Sequence, residues 1–278
     1  MTEPSFSFGV VADVQYCDCP PTEVRFYRKS IDKLTECLTT LNQQDLAFTL
    51  DVGDLIERDY ASFDIILQEY QQASARIYRT LGNHDYSVAP KLLADVPARV
   101  GLNASGYYSF IHQGWRFIVL NGTEVSTYAH APGTEAHQRA ESLLTQLQKE
   151  NRPQAQPWNA GISNQQIRWL EQQLKEARRA NQRVIVMGHY PLYPEDPHNL
   201  WNAEEVITAL EQSGNVVAYF NGHNHAGNYG RKKDIHYLNF KGMVDTPDKN
   251  TFAVIHIHPN HLEVQGFGRE ASRELSFD

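Results

Sequence analysis

FGVVADVQ, residues 8–15, joins an apolar run to two side chains that can bind a metal through oxygen. The run from Phe8 to Ala12 predicts a short buried strand, and Asp13 stands where that strand would end. Ligand groups in open α/β sheets gather just beyond the carboxyl ends of strands. We therefore interpret Asp13 and Gln15 as the start of a site. Histidine is the commonest metal ligand, so a histidine would be expected two residues after Asp13, but residue 15 is a glutamine.

The residues that follow predict alternating helices and strands. Apolar residues recur at steps of three and four over residues 24–41 and over residues 63–70. This spacing predicts two helices, the first of about five turns. Apolar runs at residues 46–50 and 77–81 predict two further strands. The order β-α-β-α-β implies a parallel sheet with right-handed crossovers.

The remainder of the chain predicts a second group of strands. A glycine turn within HQGW, residues 112–115, indicates a hairpin. Residues 122–162 form a long excursion with one amphipathic helix, which we interpret as a functional flap. The later predicted elements are a capped helix from Ser163, strands at 184–187 and 216–220, a helix at 203–210, and strands at 235–240, 251–257 and 261–267. We expect one domain, residues 1–278, with two packed sheets and helices outside.

Composition limits the partners. The chain has 278 residues, a formal charge of −8 and 41% hydrophobic residues, as in an ordinary globular protein. The negative charge argues against general binding of nucleic acid or membranes, and no protein partner is evident. A phosphate-bearing substrate remains compatible, because bound metal ions would make a site locally positive.

The cysteines and the first residues address location. No apolar run is long enough to span a membrane, and MTEPSFSFGVV lacks the pattern of a signal peptide. Three cysteines, Cys17, Cys19 and Cys37, are sparse and odd in number. We expect free thiols and a cytoplasmic location. A thiolate metal site at Cys17 and Cys19 is the weaker alternative.

Five short polar motifs each follow a strand-like run, so all five are expected on one edge of the sheets. They are Asp13-x-Gln15, Gly53-Asp54, Gly82-Asn83-His84-Asp85, Gly188-His189 and Gly222-His223-x-His225. Each motif alone is a weak signal, but their conjunction predicts a metal site. Seven candidate ligands, with no thiolate, are too many for one Zn²⁺ and suit two ions that share a carboxylate. Oxygen ligands mixed with imidazoles favour Mn²⁺, with Mg²⁺, Zn²⁺ or Fe as alternatives.

The order of these motifs resembles the calcineurin-like metallophosphoesterases. The segments ADVQY, WNAGISNQQIRWL, GHNHAGNYG and HYLNFKGMVDTP, with Gln15 itself, are more closely similar to manganese-dependent ADP-ribose/CDP-alcohol diphosphatases. The resemblance implies an α/β (α+β) protein, a four-layer αββα sandwich of two mixed β-sheets flanked by helices. It also implies that Asp54 bridges the two ions.

The resemblance divides the seven ligands between two ions. It assigns the first ion to Asp13, Gln15, Asp54 and His225, and the second to Asp54, Asn83, His189 and His223. The neutral oxygen of Gln15 should favour Mn²⁺ over softer metals. The alternative is that Gln15 is only a spacer.

Charge considerations suggest how such a centre would hydrolyse a phosphate bond. A water or hydroxide held by the ions would attack phosphorus in line. We expect His84 to face the scissile phosphate as donor or acid, and Asp85 to hold its imidazole. The alternative is a turn at His84 that Asp85 caps.

The substrate is less narrowly defined. The resemblance implies hydrolysis of phosphoanhydride bonds in nucleoside diphosphate derivatives such as ADP-ribose and CDP-choline. Arg25 is a candidate for the second phosphate, or a solvated helix-start residue. Candidate pocket walls, each with core packing as the alternative, are Tyr16, Tyr193, Leu200, Trp201 and Tyr229. The short loop YCDCPPTE leaves the base preference open. Alternative functions are those of a phosphomonoesterase, a cyclic-nucleotide phosphodiesterase or a protein phosphatase. A more distant alternative is an inactive scaffold for protein interaction.

Overall fold

Two six-stranded β-sheets form the centre of the computed structural model, which describes residues 4–277. The strands are β1 Phe6–Val11, β2 Phe48–Asp51, β3 Ile77–Arg79, β4 Tyr108–His112, β5 Trp115–Val119, β6 Arg183–Met187, β7 Val216–Asn221, β8 Asn228–Lys232, β9 Ile235–Asn239, β10 Thr251–Ile257, β11 His261–Gly268 and β12 Arg273–Ser276. The helices are α1 Lys29–Leu41, α2 Ser62–Tyr70, α3 Val96–Arg99, α4 Glu135–Lys149, α5 Asn164–Arg179 and α6 Ala203–Ser213, with short 3-10 turns at His84–Tyr86 and Pro90–Asp95.

Both sheets are mixed. The first has the order β12-β11-β10-β1-β2-β3, in which β1, β2 and β3 are parallel and β10 runs antiparallel to β1. The second has the order β4-β5-β6-β7-β9-β8, with antiparallel strands at its two edges. The predicted hairpin is present, because β4 and β5 pair across the Gln113-Gly114 turn, in which both residues have positive φ.

Four layers result from three apolar clusters. The middle cluster fills the space between the sheets with side chains such as Phe8, Phe48 and Phe117. Full burial of one such side chain contributes about 1.5–3 kcal/mol. The outer clusters pack α1 and α2 on the first sheet, and α5 and α6 on the second. The predicted αββα sandwich is therefore confirmed.

The first helix is shorter than its apolar spacing predicted. It begins at Lys29, and Val24 is 58% exposed. Residues 22–26 are held instead by backbone hydrogen bonds to a loop near residue 244, including Phe26 N–H to the Val244 carbonyl at 2.9 Å. Strands β8 and β12 were not predicted, because neither carries the continuous apolar run that marks a buried strand.

The expectation of free thiols is wrong for two of the three cysteines. Cys17 and Cys19 are joined as a disulfide with their Cα atoms 5.3 Å apart, and only Cys37 is free. Their side chains share a small buried cluster with Tyr27 and Val244, which brings the sulfur atoms together.

The 122–162 excursion is closed at its base by paired hydrogen bonds between Val125 and Gly161. Its helix α4 buries only Ala140 fully. Along residues 4–277, no helix combines the length and the apolar character needed to cross a bilayer.

Candidate metal centre

The strand ends bring the predicted ligands together at one edge. Asp13 and Gln15 follow β1, Asp54 follows β2, Asn83 follows β3, His189 follows β6, and His223 and His225 follow β7. Four of these seven residues have positive φ: Asp13, Gln15, Asp54 and His223, at 50°, 45°, 57° and 70°. Such backbone conformations are uncommon for residues with a Cβ and cluster at functional sites. Their concentration here indicates a site built at some cost in backbone strain.

Asp54 lies between the two predicted sets of ligands. Its Oδ2 atom is 3.3 Å from His189 Nε2 and 3.0 Å from Gln15 Nε2. Ligand atoms of Asp54, His189 and His223 lie within 4.8 Å of one another, and all three residues are buried. On the other side, His225 Nε2 is 3.6 Å from Asp13 Oδ1. Asp54 therefore has the placement that a bridging carboxylate requires.

Three candidate donor atoms are buried and have no hydrogen-bond partner among residues 4–277. They are Gln15 Oε1, Asn83 Oδ1 and His189 Nε2. An unsatisfied buried polar atom costs about 1–3 kcal/mol, so native structures seldom contain several in one place. A divalent cation would supply a partner for the lone pairs of Asn83 and His189, and for that of Gln15 once its amide is rotated. The donor set, oxygen and imidazole without thiolate, fits two divalent ions.

Gln15 faces its neighbours through nitrogen rather than oxygen. Its Nε2 atom lies 3.1 Å from His225 Nε2 and close to Asp54, while Oε1 points elsewhere. An amide nitrogen has no lone pair for a metal. A 180° rotation of the amide exchanges the two atoms, and the ligand role predicted for Gln15 requires that orientation.

Charge is concentrated on Asp54. Burial opposes its ionisation, but the charges of His189 and His84 hold its pKa far below the usual range. Burial lowers the pKa of His189, yet the Asp54 carboxylate outweighs burial and raises that pKa to about 9. Burial, together with His189, lowers the pKa of His223 well below its ordinary value. The Asp54 carboxylate therefore stays ionised and is the main negative charge acting on the histidines of the centre.

Each histidine ligand is oriented through its other ring nitrogen. His189 Nδ1 lies 2.8 Å from the Val52 carbonyl, and His225 Nδ1 lies 2.9 Å from Asp245 Oδ1. His223 Nε2 lies 2.8 Å from Asn159 Oδ1. Such outer partners fix the ring and its tautomer. Neither Asp245 nor Asn159 was a sequence candidate, although both belong to segments that carried the family resemblance.

Glycine permits the close approach of two strand ends. A Cβ on Gly82 would lie 2.6 Å from His189 Nε2, inside contact distance. The side chains of Asp54 and His189 therefore meet only because residue 82 has no side chain.

Asp85 does not hold the His84 imidazole, so this part of the sequence interpretation is wrong. Its carboxylate accepts hydrogen bonds from backbone N–H groups of the 54–56 turn and from Gly82 N–H at 2.9 Å. Because of burial and the nearby Asp54 charge, the pKa of Asp85 is raised to about 7. Asp85 instead ties the turn carrying Asp54 to the turn carrying Asn83.

The carboxylate that faces His84 belongs to Glu57. Its Oε2 atom lies 3.1 Å from His84 Nδ1, and the other ring nitrogen lies 3.5 Å from Arg25 Nη1. Burial lowers the pKa of His84, but the charges of Asp54 and Glu57 outweigh burial and raise it. The signal missed in the sequence is GDLIER, in which Glu57 follows Asp54 by three residues.

The candidate pocket walls divide into two groups. Leu200 and Trp201 are each 2% exposed and packed in the interior, so they do not form an open wall. Trp201 donates from Nε1 to the Gln156 carbonyl and so anchors the excursion. Tyr193 is half-buried against Tyr237, and Tyr229 is 38% exposed. Tyr16 is half-buried.

Comparison with known proteins shows which family shares this sequence and fold. The chain matches the calcineurin-like phosphoesterase family over residues 6–227. It is 26% identical to a manganese-dependent ADP-ribose/CDP-alcohol diphosphatase of Mus musculus, covering 99% of this chain and 94% of that protein. It is 27% identical to one of Arabidopsis thaliana, covering 98% and 97%. A dimetal phosphatase structure from Danio rerio superposes with a TM-score of 0.88 at 24% identity, covering 99% of this chain and all of that one. The chain belongs to the calcineurin-like phosphoesterase family.

Proposed function

We propose that this protein is a manganese-dependent hydrolase of phosphoanhydride bonds in nucleoside diphosphate derivatives, such as ADP-ribose and CDP-choline. The observation that carries the proposal is the buried cluster of ligand atoms from Asp54, His189 and His223, together with the unpartnered donor atoms of Asn83 and His189. The proposed substrate and the proposed metal are supported by relatives whose names state that substrate class and manganese. These relatives align with the chain over nearly their whole length.

Two divalent ions at this centre would polarise the phosphoryl oxygens and lower the pKa of a bound water. The first ion would be held by Asp13, Gln15, Asp54 and His225, and the second by Asp54, Asn83, His189 and His223. Mn²⁺ suits this mixture of hard oxygen donors and imidazoles.

His84 is the proposed acid. Its Nδ1 faces Glu57, so Nε2 is the ring nitrogen directed toward Arg25 and available to a substrate. The ring can give a proton to the oxygen that leaves phosphorus, while Glu57 balances the imidazolium. Arg25, with a side chain that is 35% exposed, can pair with the phosphate that leaves.

The pocket for the base or sugar is a further part of the proposal. Tyr229 lies on β8, which follows the turn that carries His223 and His225, and the Tyr193 ring lies beside Gly230 of the same strand. Both residues are partly exposed. An aromatic face at this rim suits a planar base. Tyr16, one residue beyond Gln15, is the third candidate.

The location in the cell stays a prediction. A cytoplasmic enzyme would meet nucleoside diphosphate derivatives, whereas the Cys17–Cys19 disulfide is more typical of an oxidising compartment. Thiol titration of the protein from an extract made without reductant, with free thiols blocked at lysis, tests this: three free thiols favour the cytoplasm, and one favours an oxidising compartment.

A substrate panel with added Mn²⁺ tests the activity. We expect release of AMP from ADP-ribose and of CMP from CDP-choline, with much slower turnover of cyclic AMP and a phosphopeptide. Faster turnover of cyclic AMP or the phosphopeptide would overturn the proposed substrate class. Absence of bound metal and of every activity would favour the scaffold reading.

A further inference from the structure

We propose that Asn159, which the 122–162 excursion supplies, is a positioning residue that fixes the tautomer of His223 and makes Nδ1 its metal-binding nitrogen. The inference rests on the proposed function only in that a second ion is bound at His223. It assigns the excursion a fixed structural role at the metal centre in place of a moving flap.

The orientation of the Asn159 amide follows from its three contacts. Nδ2 donates to the Gln154 carbonyl at 2.9 Å and to the Pro197 carbonyl at 2.6 Å, which uses both amide protons. Exchanging oxygen and nitrogen would set an amide oxygen against two carbonyl oxygens, so that alternative is excluded. Oδ1 is therefore the atom that lies 2.8 Å from His223 Nε2.

The tautomer of His223 follows in turn. A carbonyl oxygen only accepts hydrogen bonds, so Nε2 of His223 must carry the proton. In a neutral imidazole this leaves the lone pair on Nδ1. Both residues are buried, Asn159 completely, so water does not compete for the contact. The opposite tautomer would leave Oδ1 and Nε2 facing each other as two acceptors.

The segment around Asn159 is held rigidly enough for this task. Asn159 and Ala160 are buried, the Ala160 carbonyl accepts from Trp201 N–H at 2.7 Å, and Gln154 donates to the Trp201 carbonyl at 3.3 Å. These bonds join the end of the excursion to the loop that precedes α6. Loss of the amide should therefore loosen the His223 ring without moving the other ligands.

The test uses Asn159→Leu, which has a similar size and no acceptor. We expect the second equivalent of Mn²⁺ to bind about 10–100-fold more weakly, with the first equivalent unchanged. The matched control is Asn199→Leu. Asn199 is also a buried asparagine, and its Nδ2 donates to two carbonyls, of Leu192 and Pro194, while its Oδ1 has no hydrogen-bond partner among residues 4–277. Two Mn²⁺ bound with wild-type affinity in Asn159→Leu would overturn the proposal.

A second measurement needs no variant. In metal-free wild-type protein with ¹⁵N-labelled histidine, NMR should show His223 as the Nε2–H tautomer, with an unprotonated Nδ1. The Nδ1–H tautomer would overturn the proposal even if Asn159→Leu fails to fold. Both readouts are independent of turnover. A protein that binds two Mn²⁺ but cleaves no anhydride would refute the proposed function and leave this inference intact.

Discussion

His223 and His225 stand two residues apart in one turn, yet different kinds of partner hold their rings. His225 meets the charged Asp245 through Nδ1, and His223 meets the neutral amide of Asn159 through Nε2. On the proposal made above, the two imidazoles present opposite nitrogens to the centre, Nε2 of His225 and Nδ1 of His223. One short turn can serve two ions because the rings are fixed from opposite sides.

The two halves of the centre, one for each proposed ion, differ in the charge of the groups that orient their histidines. In the half proposed for the first ion, Asp13 is a second carboxylate besides Asp54, and Asp245 lies behind His225. In the half proposed for the second ion, both histidines are oriented by neutral carbonyl oxygens, of Val52 and Asn159. A carboxylate partner makes an imidazole a more basic ligand. We therefore expect the first ion to bind more tightly than the second.

Asp54→Ala removes the one ligand that both halves share and should have the largest effect. We expect loss of both ions and of detectable turnover, because each half loses its bridging carboxylate. Metal content per chain and hydrolysis of ADP-ribose are the measurements. Asp64→Ala, an exposed aspartate on α2, is the control and should behave as wild type. Two bound metals and wild-type turnover in Asp54→Ala would show that the binuclear assignment is wrong.

His84→Ala tests a side chain that stands outside both halves. Its ring contacts Glu57 and Arg25 rather than a predicted ligand side chain. We expect kcat to fall roughly 10²–10⁴-fold, the usual scale for a positioned acid–base group, while both metals stay bound. Glu57→Gln keeps a polar neighbour for the ring and should lose less. An unchanged kcat would show that His84 is only a turn residue. Loss of metal would show that His84 supports the metal ligands.

Asp245→Asn makes the partner of His225 resemble that of His223. The amide oxygen still accepts from Nδ1–H, but the charge is gone. We expect the first Mn²⁺ to bind about 10-fold more weakly, at the lower end for loss of an outer partner, so that the two affinities approach each other. Calorimetric titration of the metal-free protein measures both. Asp248→Asn removes a charge from the same loop at an exposed position and is the control. Unchanged affinity would show that charge behind His225 does not separate the halves.

The parts of this centre that could be predicted from sequence are those with a local signal. An apolar run and the polar residue after it are neighbours in the chain, so the strand ends and their glycines indicated the ligand cluster. Two packed sheets with helices outside followed from the same runs, and the family resemblance added the four-layer order. The prediction that Asp85 holds His84 relied on their being neighbours in the chain, and it was wrong. A 3-10 turn directs the Asp85 carboxylate to backbone N–H groups and away from His84.

The outer partners carry no such local signal. Glu57 is 27 residues from His84, Asn159 is 64 from His223, and Asp245 is 20 from His225. Only folding brings these pairs into contact. The start of α1 was misplaced for a related reason. Apolar spacing over residues 24–28 continues the helical period, but hydrogen bonds to the distant 244–246 loop hold that segment in another conformation.

Gln15→His should have the smallest effect on fold and a specific effect on metal choice. Residue 15 has a φ of 45°, and histidine tolerates this region better than most residues, so we expect a folded protein. The change gives the first ion two imidazoles, as the second ion has in His189 and His223. Imidazole is a softer ligand than an amide oxygen, so activity with Zn²⁺ and Fe²⁺ should gain relative to Mn²⁺. Substrate preference should shift less, since only the first ion's hold on the phosphates changes.

The measurement is activity and bound metal across titrations of Mn²⁺, Mg²⁺, Zn²⁺ and Fe²⁺. Gln113→His, the same substitution at an exposed turn residue with a φ of 44°, is the control. Identical metal profiles for wild type and Gln15→His would show that the neutral oxygen at residue 15 does not set the choice of ion, and that the two halves differ through Asp13 and Asp245 alone.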